Sequence, residues 1–142
     1  MPTLFTRILK GELPGRFVWS DARAAAFLTI APIRPGHTLV VPREEVDHWI
    51  DMPSDLAHHV FDVAANVSRG IQRAFPCAKV GLLIAGLEVP HAHLHLVPAD
   101  RIADLDFALQ DQSAKPEELD DAAVRLRAAL RDLGYAQASD RP

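Results

Sequence analysis

A single cysteine, Cys77, stands in 142 residues. It has no partner for an internal disulfide, and no set of thiolates is present to hold a metal. Cys77 reads as a small, partly buried apolar residue. Long apolar runs are missing too. Nothing approaches the ~18 residues of a membrane span, and the first residues lack the build of a secretory signal. The chain therefore reads as a cytoplasmic protein with no membrane partner. Positive charge is short as well: 15 Lys and Arg against 19 Asp and Glu give a net −4. That argues against nucleic acid or an anionic membrane as the main partner. A small anionic substrate stays open, because backbone N–H groups and imidazoles can supply local positive potential. Internal repeats and low-complexity segments are also absent.

The length suggests one domain, large enough to bury about 70% of its unfolded surface without a disulfide or metal. Apolar content of 49% and charged content of 24% are those of an ordinary globular protein. Leu4, Phe5, Ile8 and Leu9 form a short helical stripe that Gly11 stops. Arg16–Ser20 and Ala24–Ile30 read as a hairpin around Asp21–Arg23. Ala31–Gly36 is a loop, and His37–Pro42 is a strand apolar enough for the sheet centre. From Leu56 to Phe75 the apolar positions recur at helical spacing for about five turns, and Pro76 ends the run. Lys79–Ala85 and Val89–Pro98 read as the fourth and fifth strands. Alternation over Ala103–Gln110 predicts one more half-buried strand. Lys115–Leu133 predicts a second long helix, with acidic residues at its positive end and Gly134 as its stop. Tyr135–Pro142 reads as a loose tail. The layout is α+β: an antiparallel sheet of about five strands, a long helix and a C-terminal helix. One domain spans 1–134, with a core over 3–98, an extension over 99–134 and a tail over 135–142.

Chemistry concentrates in Gly81–Asp100, GLLIAGLEVPHAHLHLVPAD, where His91, His93 and His95 alternate with Ala92, Leu94 and Leu96. On a strand, alternate residues share a face. Three readings compete. The histidines can be exposed on a half-buried strand by coincidence. They can bind a metal, with His37 or His48 as a further ligand. Or a neutral imidazole can attack a phosphoryl group and carry it covalently. The middle residue, His93, suits that last role, with its far nitrogen protonated and held by an acceptor. Its neighbours would then hold phosphoryl oxygens or protonate the leaving group.

His91-Ala92-His93-Leu94-His95-Leu96-Val97 resembles the His-φ-His-φ-His-φ-φ motif (φ apolar) of the histidine triad (HIT) superfamily, in its Hint-like branch. Leu4-Phe5, Ile8, Gly11–Pro14, Asp21, Ala26-Phe27, Pro32, Pro35–Pro42 and Gly86–Pro98 fit the same pattern in order. The resemblance implies a HIT-like fold and a hydrolase or transferase acting at the α-phosphate of a nucleotide, such as a nucleoside phosphoramidate. It implies His93 as nucleophile, held through its other nitrogen by a backbone carbonyl. His95 would bind phosphate or assist the leaving group, and His91 would support the network from beneath, together with His37. The backbone N–H near Val89 would hold phosphate oxygen. Leu4, Phe5, Ile8, Leu13, Phe27 and Ile30 would form the slot for the base. A homodimer is implied, with the long helix and fourth strand near the two-fold. The runner-up is a module of the same fold that binds a nucleotide or partner with little turnover.

Several positions depart from that pattern. Many bacterial members carry Cys-x-x-Cys near the start, which binds a structural zinc with two histidines. Thr3 and Thr6 stand there, and Glu44 or Glu45 stands at the later histidine position. Hydroxyls are poor zinc ligands beside thiolates, so no metal and no cofactor are expected. Thr29 replaces the acidic residue that usually grips both ribose hydroxyls. Glu88 replaces a Ser or Thr that often donates to the phosphate or leaving group, and a carboxylate there repels phosphate. Ala103–Leu133 is expected to cover the site or a dimer interface.

Overall fold

The computed structural model describes residues 1–142, and its frame is an antiparallel sheet. The strands are β1 (Phe17–Ser20), β2 (Ala24–Leu28), β3 (Thr38–Pro42), β4 (Lys79–Leu83) and β5 (Leu94–Ala99), in the spatial order β1-β2-β3-β5-β4. Three α-helices accompany it: α1 (Leu4–Leu9), α2 (Ser54–Ala74) and α3 (Pro116–Asp132). The α+β layout read from the sequence is thus the observed one.

Period-two alternation divides the side chains between two faces. Val18, Ala24, Ala26, Leu28, Val40, Leu94 and Leu96 pack with α2 and α3 in one large core. Phe17, Ala25, Phe27, Leu39 and Val41 point the other way and pack with Phe5 and Leu9 of α1. The first face is closed by two long helices; the second is only partly covered. Register then places one row across that second face: Phe17 opposite Phe27, Phe27 opposite Leu39, Leu39 opposite His95, and His95 opposite Leu83.

The stripe Leu56, Val60, Val63, Ala64, Val67 and Ile71 buries α2 against the closed face, as its spacing requires. At Gly70, an added Cβ would lie 2.6 Å from a methyl carbon of Leu130, so the missing side chain lets α3 close on α2. Pro116 starts α3 without wasting an N–H, and Glu117 and Glu118 meet its positive end. Leu126 and Leu130 are fully buried, each contributing about 2 kcal/mol. Arg127 Nε donates to the Phe17 carbonyl at 2.7 Å, and Arg16 pairs with Asp120 at 2.7 Å, tying α3 to β1.

Three expectations change. The alternating stretch Ala103–Gln110 is not a strand: it folds as two single 3-10 turns, Ile102–Asp104 and Phe107–Leu109. Asp104 accepts from the N–H groups of Asp100 and Arg101, and Asp106 from that of Ala108. These local bonds outcompete a sheet ladder. Leu105 instead packs on β4, its methyl carbon 2.6 Å from where a Gly81 Cβ would be. The tail is not loose. Ser20 N–H donates to Gln137, Ser139 N–H donates to Val18, and Ala138 bridges Trp19 along the outer edge of β1. The fifth strand begins at Leu94, so His91 and His93 precede it in a linking segment.

Candidate active site

Four histidines, at 37, 91, 93 and 95, are all buried. Each has at least one ring nitrogen engaged, and the partners fix every proton. His93 Nδ1 lies 2.8 Å from the His91 carbonyl. A carbonyl only accepts, so Nδ1 carries the hydrogen and Nε2 of the neutral ring is a bare lone pair. No buried side-chain polar atom lacks a partner; the unpaired His93 Nε2 therefore faces open space.

His95 is set differently. The Ile33 N–H donates to His37 Nδ1 at 3.0 Å, so in neutral His37 the proton sits on Nε2. That Nε2–H donates to His95 Nδ1 at 2.9 Å, which leaves the His95 proton on its own Nε2. One imidazole thus presents a lone pair and its neighbour an N–H, with ring centroids 4.8 Å apart. Burial pushes His37 down to about 4. Burial, then the neighbouring His93 and His37, pushes His95 down to about 3. His91 and His93 are lowered too, by burial first, against the opposing pull of their carbonyl bonds. All four rings are neutral at pH 7.

His91 does not share the face of the other two. Its Nε2–H donates to the Pro42 carbonyl at 2.7 Å, and its Nδ1 accepts from the Thr3 hydroxyl at 2.7 Å. The expected partnership of His37 with His91 is replaced by one with His95, because strand register sets Leu39 opposite His95 and brings the start of β3 alongside it.

In front of His93 and His95 lies a cavity of about 910 Å³, large enough for a nucleotide-sized ligand. Phe5, Ile8, Leu13, Phe27, Thr29 and Val89 all line it, as do Leu4 and Ile30. His37 stands behind His95 and lines a smaller hollow of about 160 Å³. Phe5 sets its edge against His93 with centroids 4.8 Å apart, and Phe107 sets its edge against His95 at 4.9 Å. The Val89 carbonyl accepts from the His91 N–H at 2.8 Å, fixing the turn whose edge forms the cavity rim. Thr29 Oγ1 already accepts from the Ala31 N–H at 3.2 Å, leaving it less free for a diol. Glu88 lines the cavity, and its charge bears on His93.

Phe107, Gln110 and Gln112 also line the cavity, although no motif singles them out individually. Their segment is strapped down at both ends. Asp104 accepts from Arg34 at 3.2 Å, Gln110 donates to the Ala31 carbonyl at 2.9 Å, and the Asp111 N–H donates to the Pro32 carbonyl at 2.9 Å. The expectation that the extension covers the site holds for this stretch. Arg34, Arg43 and Arg101 are all engaged away from the cavity, Arg43 with Ser20 and the Asp21 carbonyl. His59 is less free than a surface histidine: its Nε2 lies 2.9 Å from the Asp21 carboxylate.

Thr3, Thr6 and Glu45, at the places implied for zinc ligands, do converge, and they meet beside His91. Glu45, not Glu44, reaches the Thr3 N–H at 2.8 Å, while Glu44 faces Arg23. The donor set is two hydroxyls, a carboxylate and one imidazole nitrogen, with no thiolate. That set suits hydrogen bonding and does not fit a structural zinc.

The HIT domain family model matches residues 10–102. A Bacillus subtilis relative, Protein hit, is 30% identical over 124 residues, covering 82% of this chain and 86% of its own. Two fission yeast enzymes are also similar. An asymmetrical bis(5'-nucleosyl)-tetraphosphatase is 34% identical over 62% of this chain and 50% of its own, and an adenosine 5'-monophosphoramidase is 28% identical over 69% and 74%. Among solved structures, a hypothetical histidine triad nucleotide-binding protein from Sulfolobus tokodaii superposes with a TM-score of 0.80 at 27% identity, covering 91% and 92% of the two chains. A zinc-bound histidine triad family protein from Mycobacterium smegmatis gives 0.79 at 26%, covering 92% and 94%. With the family model spanning most of the chain, and two histidines of the alternating set lining its cavity with the third buried behind them, this protein belongs to the HIT family.

Proposed function

We propose that this protein is a nucleotide hydrolase or nucleotidyl transferase that opens a bond at the α-phosphate of a nucleoside phosphoramidate or related nucleotide. The observation that carries the reading is the His93 ring: Nδ1–H tied to a carbonyl, Nε2 bare before a nucleotide-sized cavity. Nε2 forms a bond to phosphorus while the bond from phosphorus to the leaving group breaks. The leaving atom takes the bonding pair and the proton from His95 Nε2. Water then attacks phosphorus, its proton returning to His95 Nε2 as the bond from phosphorus to His93 breaks, releasing the nucleoside monophosphate and restoring both rings. As the ring gains positive charge, its Nδ1–H bond to the His91 carbonyl strengthens. The Nε2–H of His95 is aimed at a phosphoryl oxygen or the leaving atom, and the base lies among Phe5, Ile8, Leu13 and Phe27.

Glu88 favours a second reading. A carboxylate beside the nucleophile opposes an anionic phosphoryl group, which fits a module that binds a nucleotide or partner with little turnover. Incubation with adenosine 5'-phosphoramidate separates the two. The enzyme gives AMP and a transient nucleotidyl adduct on His93, absent in His93→Ala; binding across a nucleotide panel with neither adduct nor AMP supports the module. We also propose a homodimer built on the outer edge of β4, where Leu82 and the nearby Leu87 are exposed. A monomeric mass by light scattering at micromolar protein would reject it.

A further inference from the structure

Helix α1 does more than wall the cavity. Thr3 caps it, its Oγ1 accepting from the Thr6 N–H at 3.1 Å. The same oxygen lies 2.7 Å from His91 Nδ1. His91 Nε2 must donate to the Pro42 carbonyl, so Nδ1 of the neutral ring is a lone pair that needs a donor. The Thr3 hydroxyl hydrogen is that donor. Behind it, the Glu45 carboxylate accepts from the Thr3 N–H at 2.8 Å, and Thr6 Oγ1 lies 3.3 Å from the Thr3 oxygen, farther than His91 Nδ1. His91 is thus gripped at both ring nitrogens, with no exposed surface.

The peptide unit after His91 is gripped as well. The Ala92 N–H donates to the Val46 carbonyl at 2.7 Å, and the His91 carbonyl on the other side of the same plane receives His93 Nδ1–H. The anchored ring and this plane meet at the His91 Cα, so a His91 side chain that shifts on losing an anchor displaces that Cα and with it the acceptor that fixes the nucleophile.

We propose that Thr3 is a positioning residue for His93, its hydroxyl orienting His91. The role in turnover rests on the reaction proposed above. The geometry in the resting protein does not. Outer hydrogen bonds of this kind orient a reacting imidazole and hold its tautomer.

The test compares Thr3→Val, Thr3→Ser and Leu9→Ala. Valine keeps the shape and removes the hydroxyl. Serine keeps both the cap and the donor. Leu9 is buried in the same helix, does not line the cavity, and its truncation loosens α1 without touching His91. Turnover of adenosine 5'-phosphoramidate is measured with the two-bond proton–nitrogen spectrum of the imidazoles. Thr3→Val is expected to lower kcat about tenfold or more with KM nearly unchanged, and Thr3→Ser to stay within about threefold of the parent. In Thr3→Val the His91 and His93 ring-nitrogen signals shift; in Leu9→Ala they stay, although stability falls further. The proposal is overturned if Thr3→Val leaves kcat and both ring patterns unchanged, or if Leu9→Ala lowers kcat as far. Should the parent turn over no nucleotide, the reaction fails on its own, and the ring-nitrogen spectra still decide whether Thr3 orients His91 and His93.

Discussion

The two faces of the sheet are built from the same five strands and solve different problems. The helix-covered face is dry: two complementary stripes on α2 and α3 close it, and the Thr38 hydroxyl and Trp19 indole N–H buried there are bonded locally, to the Gly36 carbonyl and to Asp21. The face opposite holds His93 and His95, each steered by a second histidine, the His91 carbonyl accepting from His93 and His37 donating to His95, and it is half roofed by α1 and the 102–112 strap. Stability resides chiefly in the first and orientation in the second. A variant should therefore injure one property and spare the other.

The largest separation is expected at the nucleophile. His93→Ala removes the attacking nitrogen and should lower kcat by roughly 10⁴-fold, as losses of catalytic nucleophiles do. Its cost in stability is modest, one bond to a carbonyl and one aromatic edge contact. Single-turnover kinetics and a urea melt on the same sample measure both. On the dry face the expectation reverses. Leu126→Ala leaves a hole between α3 and the core and should cost about 3 kcal/mol, while kcat and KM hold. A large loss of kcat in Leu126→Ala, measured well below its melting temperature, would show that the two faces are coupled.

The same division explains how much of the molecule was legible in the sequence. Helical spacing from Leu56 to Ile71 is a pattern of apolar positions, and burial against a sheet reads out that pattern directly. The apolar slot and the pairing of His93 with His95 were legible from the family's spacing, but strand alternation misled for His91, which lies before β5 and off their face. What failed was partner choice among polar groups. His37 reaches His95 rather than His91 because of the β3–β5 register, a long-range fact with no local signature. Ala103–Gln110 alternates like a strand, but Asp104 and Asp106 turn their carboxylates onto nearby N–H groups and bend it into a strap. Phe107 therefore arrives at His95 through a fold that periodicity could not foresee.

Acid sharpens the contrast, since only the site face carries buried imidazoles. His37 and His95 have folded-state values of about 4 and about 3, against 6.5 unfolded. The unfolded chain thus binds more protons below pH 6.5. Their contribution is fully present above that value and is lost as pH falls toward 4. For His37 alone the loss is on the order of 3 kcal/mol. Urea midpoints from pH 8 to 4 should fall steeply below about 6.5. Leu126→Ala should lower the whole curve without changing its slope. Since His93 is also lowered, the acid limb of kcat/KM, which reports the free enzyme, should lie below 6.5. A limb centred above that value would count against attack by a neutral, buried His93.

The smallest effect tests whether the strap belongs to the site or only shields it. Phe107 is 36% exposed, stands edge-on to His95 and lines the cavity. Truncation to alanine removes one aromatic contact, worth about 1 kcal/mol, but leaves the anchors at Asp104 and Gln110 in place. Phe5 and Phe27 pack together on the His93 side, whereas Phe107 stands against His95. In the reaction proposed above, Phe107 would therefore border the leaving group rather than the base. Phe107→Ala should raise KM severalfold for phosphoramidates with a bulky apolar amine and leave the unsubstituted phosphoramidate nearly unaffected. Equal losses for both would place Phe107 with His95 as a support of the imidazole. No loss for either would reduce the strap to a cover, and would leave α1 as the sole part of the site face outside the sheet that shapes the reaction.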